Sequence, residues 1–335
     1  MRRYACALTK KAYPFGTLPP PLSGHITDLL LRKGKRIRPV LFVTGYLGYA
    51  GTVAPGLYTS AISVELLHDF ILVHDDIIDR SDFRRGKPSM HSMLDKHLAR
   101  YKHVKFSGQD LAIILGDVIY ALGISAFLTI GEDPRRKELA LRKLVDAAVC
   151  TGSGEFLELL SGTKDIGMMA KKEIYKIYDL KTGIYSFATP LVIGAMLAGA
   201  KNEELKRLFA CGIYLGRAFQ VKNDLADILE KDASHGGPAL NDLREAKRTI
   251  LIWYAYNNSD KQKRSALKNI LEKNDPSHSD LLKARNVILD SGAVTYAQRD
   301  IGRFVKRAKA LYAGLRMRRS YKSVLSDFSD ELLSA

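Results

Sequence analysis

Apolar residues recur at helical spacing along almost the whole chain, and this pattern constrains the fold more than any other feature. Apolar positions three and four apart form runs that are separated by clusters of glycine and proline, which end helices. No sustained alternation of apolar and polar residues indicates a strand. The sequence therefore predicts an all-α fold, a single large helical bundle. The predicted helices are 22–32, 36–49, 57–80, 88–99, 109–131, 135–161, 171–199, 203–231, 240–257, 260–273, 279–291 and 293–321.

The chain is predicted to form one domain over residues 1–335, with residues 1–21 as an N-terminal extension. A length of 335 residues could fill two average domains. However, the short connections between the predicted helices contain neither a domain linker nor an internal repeat. Residues 81–88 and 232–238 are predicted loops.

The composition is that of a globular protein with an excess of positive charge. Hydrophobic residues make up 46% of the chain, charged residues 26%, and the net charge is +16. Part of the excess lies between residues 303 and 322, where a solvated basic helix face accounts for it. No zinc finger and no aromatic-studded strands accompany the charge. We therefore expect no nucleic-acid partner.

Cysteine usage and hydropathy indicate a soluble cytoplasmic protein. The three cysteines are far apart, which excludes a disulfide framework and a thiolate zinc site. The N-terminus lacks an apolar core of signal-peptide length. Residues 111–130 are long and apolar enough for a membrane span, but they contain Asp117 and no aromatic belt. We interpret them as a buried helix and expect no transmembrane segment.

The segment VHDDIIDR, residues 73–80, places two carboxylates on one face of a helix. Asp75 and Asp79 are four residues apart, which corresponds to about 5–6 Å between Cβ atoms. Like charges at this spacing repel unless a cation lies between them. Mg²⁺ prefers carboxylate and phosphate oxygens as ligands. The motif, with its apolar neighbours, therefore predicts a magnesium site on a cavity wall.

A second acidic motif, FQVKNDLADI, occupies residues 219–228. Asn223 and Asp227 repeat the four-residue spacing, and Asp224 lies beside them. Either motif alone is weak, because Asp-rich helix ends are common. Two such motifs on otherwise apolar helices favour an arrangement in which the two helices face each other across the entrance of one metal-binding cavity.

Basic residues accompany both acidic motifs. GKRIRP, residues 34–39, lies at a predicted helix start, where free N–H groups favour an anion. RRGKP, residues 84–88, directly follows the first acidic helix, and guanidinium groups suit phosphate oxygens. Together with the acidic motifs, these residues predict a site for two diphosphates. The candidate phosphate-binding residues are Lys35, Arg38, Arg84, Arg85, Lys181, Thr182 and Lys247.

In these blocks the chain resembles the trans-isoprenyl diphosphate synthases, or polyprenyl synthetases, which include farnesyl and geranylgeranyl diphosphate synthases. The resemblance runs from GKRIRP to DLREAKRT at 242–249 and includes HDFILVHDDIIDRSDFRRGKP, LGD at 115–117 and FQVKNDLAD. It implies the isoprenoid synthase fold, a helical bundle around a deep central cavity, and a homodimer. It also implies a prenyltransferase that condenses isopentenyl diphosphate with dimethylallyl, geranyl or farnesyl diphosphate by magnesium-assisted ionisation.

The resemblance further implies roles for individual residues. Those that would hold isopentenyl diphosphate are Lys35, Arg38, His68 and Arg85. Those around the allylic diphosphate are Arg84, Lys181, Thr182, Gln220 and Lys247. The implied metal ligands are Asp75, Asp79, Asn223 and Asp227. The implied catalytic residues are Asp75, Asp79, Arg84, Lys181, Asp224 and Asp227.

The chain departs from the family pattern in three places. The second motif usually begins with aspartate, and Asn223 offers only a neutral carbonyl oxygen, so a third Mg²⁺ beside the first two is in question. A lysine of the usual pattern is replaced at Gly237. The usual GQxxD reads GEFLE at 154–158, a milder change.

The residues upstream of Asp75 predict the product. Phe70 lies five residues before Asp75, about 7.5 Å along a helix. An aromatic residue here, with the non-aromatic Ile71 after it, resembles archaeal-type geranylgeranyl diphosphate synthases, in which the ring forms a floor under the growing chain. Leu67, one turn further, is a third candidate. We expect geranylgeranyl diphosphate as product, with farnesyl diphosphate second.

Two other functions remain open at this stage. A class I terpene cyclase shares the fold and the ionisation chemistry, but its second motif would want Ser or Thr at 227 and Glu at 231, where this chain has Asp227 and Lys231. A partly degenerate regulatory subunit of a heteromeric prenyl synthase is favoured by Asn223 and Gly237. The intact DDIID sequence argues against the subunit.

Overall fold

The computed structural model describes residues 1–13, 16–84, 86–229 and 239–334. Helices dominate these residues, and the predicted all-α class is confirmed. They form two compact units: unit 1 comprises residues 1–43 and 51–141, and unit 2 comprises residues 44–50 and 142–335. The expectations of a single domain and of a central cavity stay predictions.

Helices of unit 1 surround one apolar core. They are α1 (Arg2–Lys10), α2 (Pro20–Leu31), the first part of α3 (Ile37–Tyr49), α4 (Leu57–Ala61), α5 (Ser63–Ile78), α6 (Met90–Leu98), α7 (Gly108–Phe127) and the start of α8 (Pro134–Gly162). Two short antiparallel pairs complete the unit: β1 (Ala12–Tyr13) with β2 (Gly16–Thr17), and β3 (Phe83–Arg84) with β4 (Lys87–Pro88).

The remaining parts of α3 and α8 belong to unit 2. Its other helices are α9 (Lys171–Tyr178), α10 (Thr189–Leu197), α11 (Asn202–Leu229), α12 (Asn241–Arg244), α13 (Ile250–Asn258), α14 (Lys261–Leu271), α15 (His278–Asp290), α16 (Ala293–Ala313) and α17 (Arg319–Leu333). A 3₁₀ turn covers Ile166–Met168, and a π-helical segment covers Asp179–Ala188 between α9 and α10.

In unit 1, α5 is held against α7 by core packing and one close approach. Leu66 and Val73 of α5 share a core cluster with Ile119 of α7. A Cβ atom at Gly116 would lie 2.3 Å from Cε1 of His74, so only glycine leaves room for this ring. Gly116 of the LGD motif thus allows α7 to pack against α5 at His74, one residue before Asp75.

In unit 2, α11 packs against the π-helical segment at two glycines. A Cβ atom at Gly212 would lie 2.4 Å from Cα of Ala188, and one at Gly216 would lie 2.4 Å from Cα of Gly183. Small residues are therefore required for the two backbones to approach this closely. The contact fixes the segment that carries Lys181 and Thr182.

The predicted helix boundaries differ from the structure at several places. The predicted helix 57–80 is divided between α4 and α5, and 240–257 is divided between α12 and α13. Helix 171–199 is interrupted by the π-helical segment. The helix predicted over 293–321 ends at Ala313 in the structure. Helices α1 and α17 were not predicted. The predicted loop 81–88 contains β3 and β4.

Among the described residues, two helical stretches are long and apolar enough to cross a membrane by length and composition. They are Gly108–Phe127 and Lys171–Leu197, and 44% and 78% of their most apolar windows are buried. The second stretch is mostly buried, as a core helix of a soluble protein is. The expectation of no transmembrane segment stays a prediction.

Candidate active site

The acidic pair of α5 has the spacing that the sequence predicts. Asp75 lies in the last turn of the helix and Asp79 is the residue that follows it. One carboxylate oxygen of each lies within 4.8 Å of the other. The side chain of Asp75 is 15% exposed and Asp79 is half-buried, so both are partly shielded from water. This arrangement suits a divalent cation.

Arg84 of β3 lies beside this pair. Its Nε donates to Oδ1 of Asp76 over 2.6 Å, and its Nη2 lies 3.5 Å from Oδ2 of Asp75. Burial raises the pKa of the Asp76 carboxyl to about 6, although Arg84 opposes the rise. Asp76 therefore holds Arg84 in place, and the Arg84 guanidinium lies beside the Asp75–Asp79 pair.

The predicted isopentenyl diphosphate residues lie on two elements of unit 1. Lys35 is exposed in the segment between α2 and α3, and Arg38 is half-buried in the first turn of α3. His68 is buried on α5, two turns before Asp75. Arg85 lies outside the described residues.

Phe70, the predicted floor residue, is half-buried on α5. Its ring centroid lies 4.8 Å from that of His74 and 5.1 Å from that of Tyr120 on α7. Ile71 is half-buried, whereas Leu67 is only 2% exposed. The aromatic contacts fix the Phe70 ring from two sides.

Lys181 of unit 2 is held by two glutamates of the GEFLE block. Its Nζ lies 2.7 Å from Oε2 of Glu155 and 2.5 Å from Oε2 of Glu158. A Cβ atom at Gly154 would lie 2.6 Å from the backbone nitrogen of Lys181, so α8 approaches the π-helical segment closely there.

A chain of hydrogen bonds joins this segment to the second acidic motif. Thr182 Oγ1 donates to Oε1 of Gln220 over 2.7 Å, and Nε2 of Gln220 donates to Oδ1 of Asp224 over 3.0 Å. The hydroxyl of Tyr178 donates to the other oxygen of Asp224. Burial raises the pKa of the Asp224 carboxyl to about 7. Asp224 therefore orders Gln220 and Tyr178.

Asp227 has a structural task in addition to its predicted role. Its two carboxylate oxygens accept the backbone N–H groups of Asn241 and Asp242, over 3.0 and 3.1 Å, at the start of α12. Asn223 is exposed on α11. Lys247, the other predicted cation, forms an ion pair with Glu245.

Three acids of unit 2 destabilise one another's charged forms. The pKa of the Asp242 carboxyl is raised well above its usual range, first by burial and then by the charges of Asp224 and Asp227. The pKa of Asp227 is also raised by burial, against the hydrogen bonds that it accepts. A positive charge bound nearby would relieve this repulsion.

Sequence reasoning missed several of these residues. Tyr178 contacts Asp224, yet its sequence position alone carries no sign of it. Glu155 and Glu158 contact Lys181 and belong to the GEFLE block, which the resemblance singled out without giving them a role. Asp242 begins the DLREAKRT block, so its position could have indicated a role. Gly237 lies outside the described residues.

An apolar pocket of about 560 Å³ in unit 1 contains none of the predicted site residues. Its lining includes Leu22, Leu98, Val104, Phe106 and Ile114. The pocket therefore has no part in the predicted diphosphate chemistry.

Comparison with known proteins decides the family. The family model of the polyprenyl synthetases matches residues 19–288. The chain belongs to the polyprenyl synthetase family. A geranylfarnesyl diphosphate synthase of Aeropyrum pernix is 32% identical over 299 residues, covering 87% of this chain and 86% of the relative. A short chain isoprenyl diphosphate synthase of Methanocaldococcus jannaschii is 29% identical over 274 residues, covering 81% and 76%.

The fold of this polyprenyl synthetase also matches a solved structure. A geranylgeranyl pyrophosphate synthase from Corynebacterium glutamicum, complexed with isoprenyl diphosphate and magnesium, superposes with a TM-score of 0.87. The match covers 99% of this chain and 95% of the other, at 23% identity, and it shows the shared fold. As a family member with these relatives, the chain is a short-chain prenyltransferase.

Proposed function

We propose that the chain condenses isopentenyl diphosphate with allylic diphosphates and makes geranylgeranyl diphosphate as its main product. The family and the relatives support the reaction class. The observation that carries the proposal is the Asp75–Asp79 pair, whose carboxylate oxygens approach to within 4.8 Å beside Arg84.

In the proposed reaction, the residues near α5 bind the allylic diphosphate as a leaving group. Mg²⁺, when bound, neutralises negative charge on the leaving diphosphate and so favours ionisation of the allylic C–O bond. Arg84, held by Asp76, donates to phosphate oxygens. Ile71 and Leu72 exclude water. The released diphosphate takes the proton, so no protein base is assigned.

The remaining roles divide between the two substrates. Lys35, Arg38, His68 and Arg85 bind isopentenyl diphosphate. Lys181, Thr182, Gln220 and Lys247 bind the allylic diphosphate. Asp227 and Asn223 add metal ligands, and Asp224 keeps Gln220 in place. Because both oxygens of Asp227 already accept N–H groups and Asn223 is neutral, we propose that any third Mg²⁺ is bound more weakly than those at Asp75 and Asp79.

Product length is assigned to Phe70. The ring contacts with His74 and Tyr120 support a fixed floor. Phe70→Ala should shift the products toward chains longer than geranylgeranyl diphosphate, as measured by chromatography of the dephosphorylated alcohols. An unchanged product spectrum would remove Phe70 as the floor.

We also assign the chain to the cytoplasm and to a homodimer. Helix α8 carries exposed apolar residues at Val145, Val149, Phe156 and Leu160, spaced four, seven and four residues apart on one helix face. An exposed apolar stripe of this kind favours a helix-to-helix contact with a second copy.

The proposed function is tested by incubating purified protein with Mg²⁺, labelled isopentenyl diphosphate and each of the dimethylallyl, geranyl and farnesyl primers. We expect elongation with geranylgeranyl diphosphate as the main product. Hydrocarbon formed from a primer alone would instead identify a cyclase. Activity that appears only when a partner synthase is added would identify a regulatory subunit.

A further inference from the structure

Arg36 has an unusual backbone conformation in the segment that joins α2 to α3. Its φ angle is +52°, in the left-handed region that residues with a Cβ atom adopt at a cost. Such a conformation persists where the surrounding contacts hold it. The neighbouring Lys35 is one of the proposed isopentenyl diphosphate ligands.

The guanidinium of Arg36 donates hydrogen bonds to three protein acceptors. Its Nη2 donates to the carbonyl oxygen of Leu30 over 2.8 Å and also to that of Arg32. These carbonyls lie at the C-terminal end of α2, where they have no partner within the helix. Its Nη1 donates to Oε1 of Glu65 over 2.5 Å. Arg36 therefore points at protein groups on two helices and is not placed to bind a phosphate.

Glu65 is the buried partner in this contact. It is 1% exposed in the first turn of α5, three residues before His68. Its second oxygen, Oε2, is buried and has no hydrogen-bond partner in the described part of the chain. A buried carboxylate is stable only when a counter-charge compensates it. Arg36 supplies that charge.

We propose that Arg36 and Glu65 are a positioning pair for isopentenyl diphosphate. The pair ties the segment that carries Lys35 to the helix that carries His68, and it fixes the start of α3, where Arg38 lies. Small displacements of binding groups greatly reduce the affinity that they provide. If the segment were less firmly held, the affinity for isopentenyl diphosphate should fall more than that for the allylic substrate. The inference rests on the proposed assignment of Lys35, Arg38 and His68.

The test compares Arg36→Gln and Glu65→Gln with the control Lys33→Gln, which removes a cation from the same segment at an exposed position. In either pair variant, we expect the KM for isopentenyl diphosphate to rise about tenfold. The KM for the allylic substrate and kcat at saturation should change by less than about twofold. Lys33→Gln should change none of these values, and the double variant should be no worse than Arg36→Gln alone.

Three results would overturn the inference. These are an unchanged KM for isopentenyl diphosphate in a folded pair variant, an equal rise in both KM values, and the same rise in Lys33→Gln. Circular dichroism and thermal unfolding establish that each variant is folded. If Arg36→Gln fails to fold, Glu65→Gln carries the test, because it leaves no buried carboxylate. An inactive wild-type protein would contradict the proposed function. An active wild-type protein, with Arg36→Gln and Glu65→Gln variants that behave like it, would contradict only this inference.

Discussion

The acidic motifs at the ends of α5 and α11 have different environments, although each places two oxygen-bearing side chains four residues apart. Asp75 and Asp79 have oxygens within 4.8 Å of each other and an arginine beside them. Asp227 instead accepts two backbone N–H groups at the start of α12. We therefore expect the first motif to carry most of the metal affinity, and the two motifs to respond differently to substitution.

Asp79→Asn should lower kcat by about 100-fold or more without unfolding the protein, because it removes the charge of a proposed metal ligand. Asp82→Asn is the matched control: it removes a carboxylate three residues away that is exposed and accepts a hydrogen bond from Ser92. Steady-state kinetics at saturating substrates measure both. Equal activities of the two variants would contradict the assignment of Asp79.

The cysteines should differ in reactivity. Burial raises the pKa of the Cys211 thiol to about 12, whereas Cys6 is exposed on α1. Because the thiolate is the reactive form, iodoacetamide at about pH 8.5 should modify Cys6 and leave Cys211 intact in the native protein. Mass spectrometry of tryptic peptides reads out both sites, and denatured protein, in which both should react, is the control. Modification of native Cys211 would show that α11 opens readily.

Residue spacing predicted part of the candidate site, and tertiary contacts decided the rest. The four-residue spacing was sufficient to predict that Asp75 and Asp79 share a helix face. It could not predict that Lys181 pairs with Glu155 and Glu158, since these residues lie more than 20 positions apart. Likewise, the burial of Asp224 against Tyr178 depends on how α11 packs against α9.

At the scale of elements, glycines determine how closely the helices that carry the site can approach. Gly116 admits the His74 ring between α5 and α7, and Gly216 admits the backbone of the π-helical segment. Each glycine lies beside a predicted site residue or the segment that carries one. A change in packing at these glycines should therefore displace the predicted site residues.

Gly216→Ala should lower the free energy of unfolding by about 1–3 kcal/mol, since its Cβ atom would lie 2.4 Å from Cα of Gly183. Gly302→Ala is the matched control within α16, where a Cβ atom would meet nothing within 4 Å. That variant should gain about 0.5–1 kcal/mol from its helix propensity. Urea unfolding measures both changes, and equal stabilities would contradict the close approach.

Helical periodicity predicted the long elements well and the short or irregular ones poorly. The interiors of α7, α8 and α11 agree with the sequence because their apolar positions recur over many turns. The π-helical segment was not predicted, since its i→i+5 hydrogen bonding leaves no clear mark in the apolar spacing of residues 171–199. Helix α17 was missed although Leu325, Phe328 and Leu332 have helical spacing, because the basic residues before it dominate the composition.

At the scale of the whole molecule, the apolar stripe on α8 calls for a partner. Val149 is 65% exposed and Phe156 is 64% exposed, values that are high for large apolar side chains on a long helix. Burial of such side chains is the main source of free energy in dimer formation. The homodimer that we propose would provide it.

Val149→Asp combined with Phe156→Asp should convert the dimer to a monomer, because each carboxylate would be buried without a counter-charge. Lys143→Asp places the same group elsewhere on α8, at an exposed position outside the stripe, and should leave the dimer intact. Size-exclusion chromatography with light scattering gives the mass of each. A wild-type monomer, or a dimer in the double variant, would contradict the assigned interface.

The central claim is that the Asp75–Asp79 pair makes this chain a magnesium-dependent prenyltransferase. The most direct measurement is the incorporation of labelled isopentenyl diphosphate into a farnesyl or geranyl primer as Mg²⁺ is removed by a chelator and then restored. We predict elongation that stops on chelation, returns with added Mg²⁺, and needs much more Mg²⁺ in Asp75→Asn. Elongation that continues without divalent cations, or an Asp75→Asn variant with the Mg²⁺ dependence of the wild type, would contradict the claim.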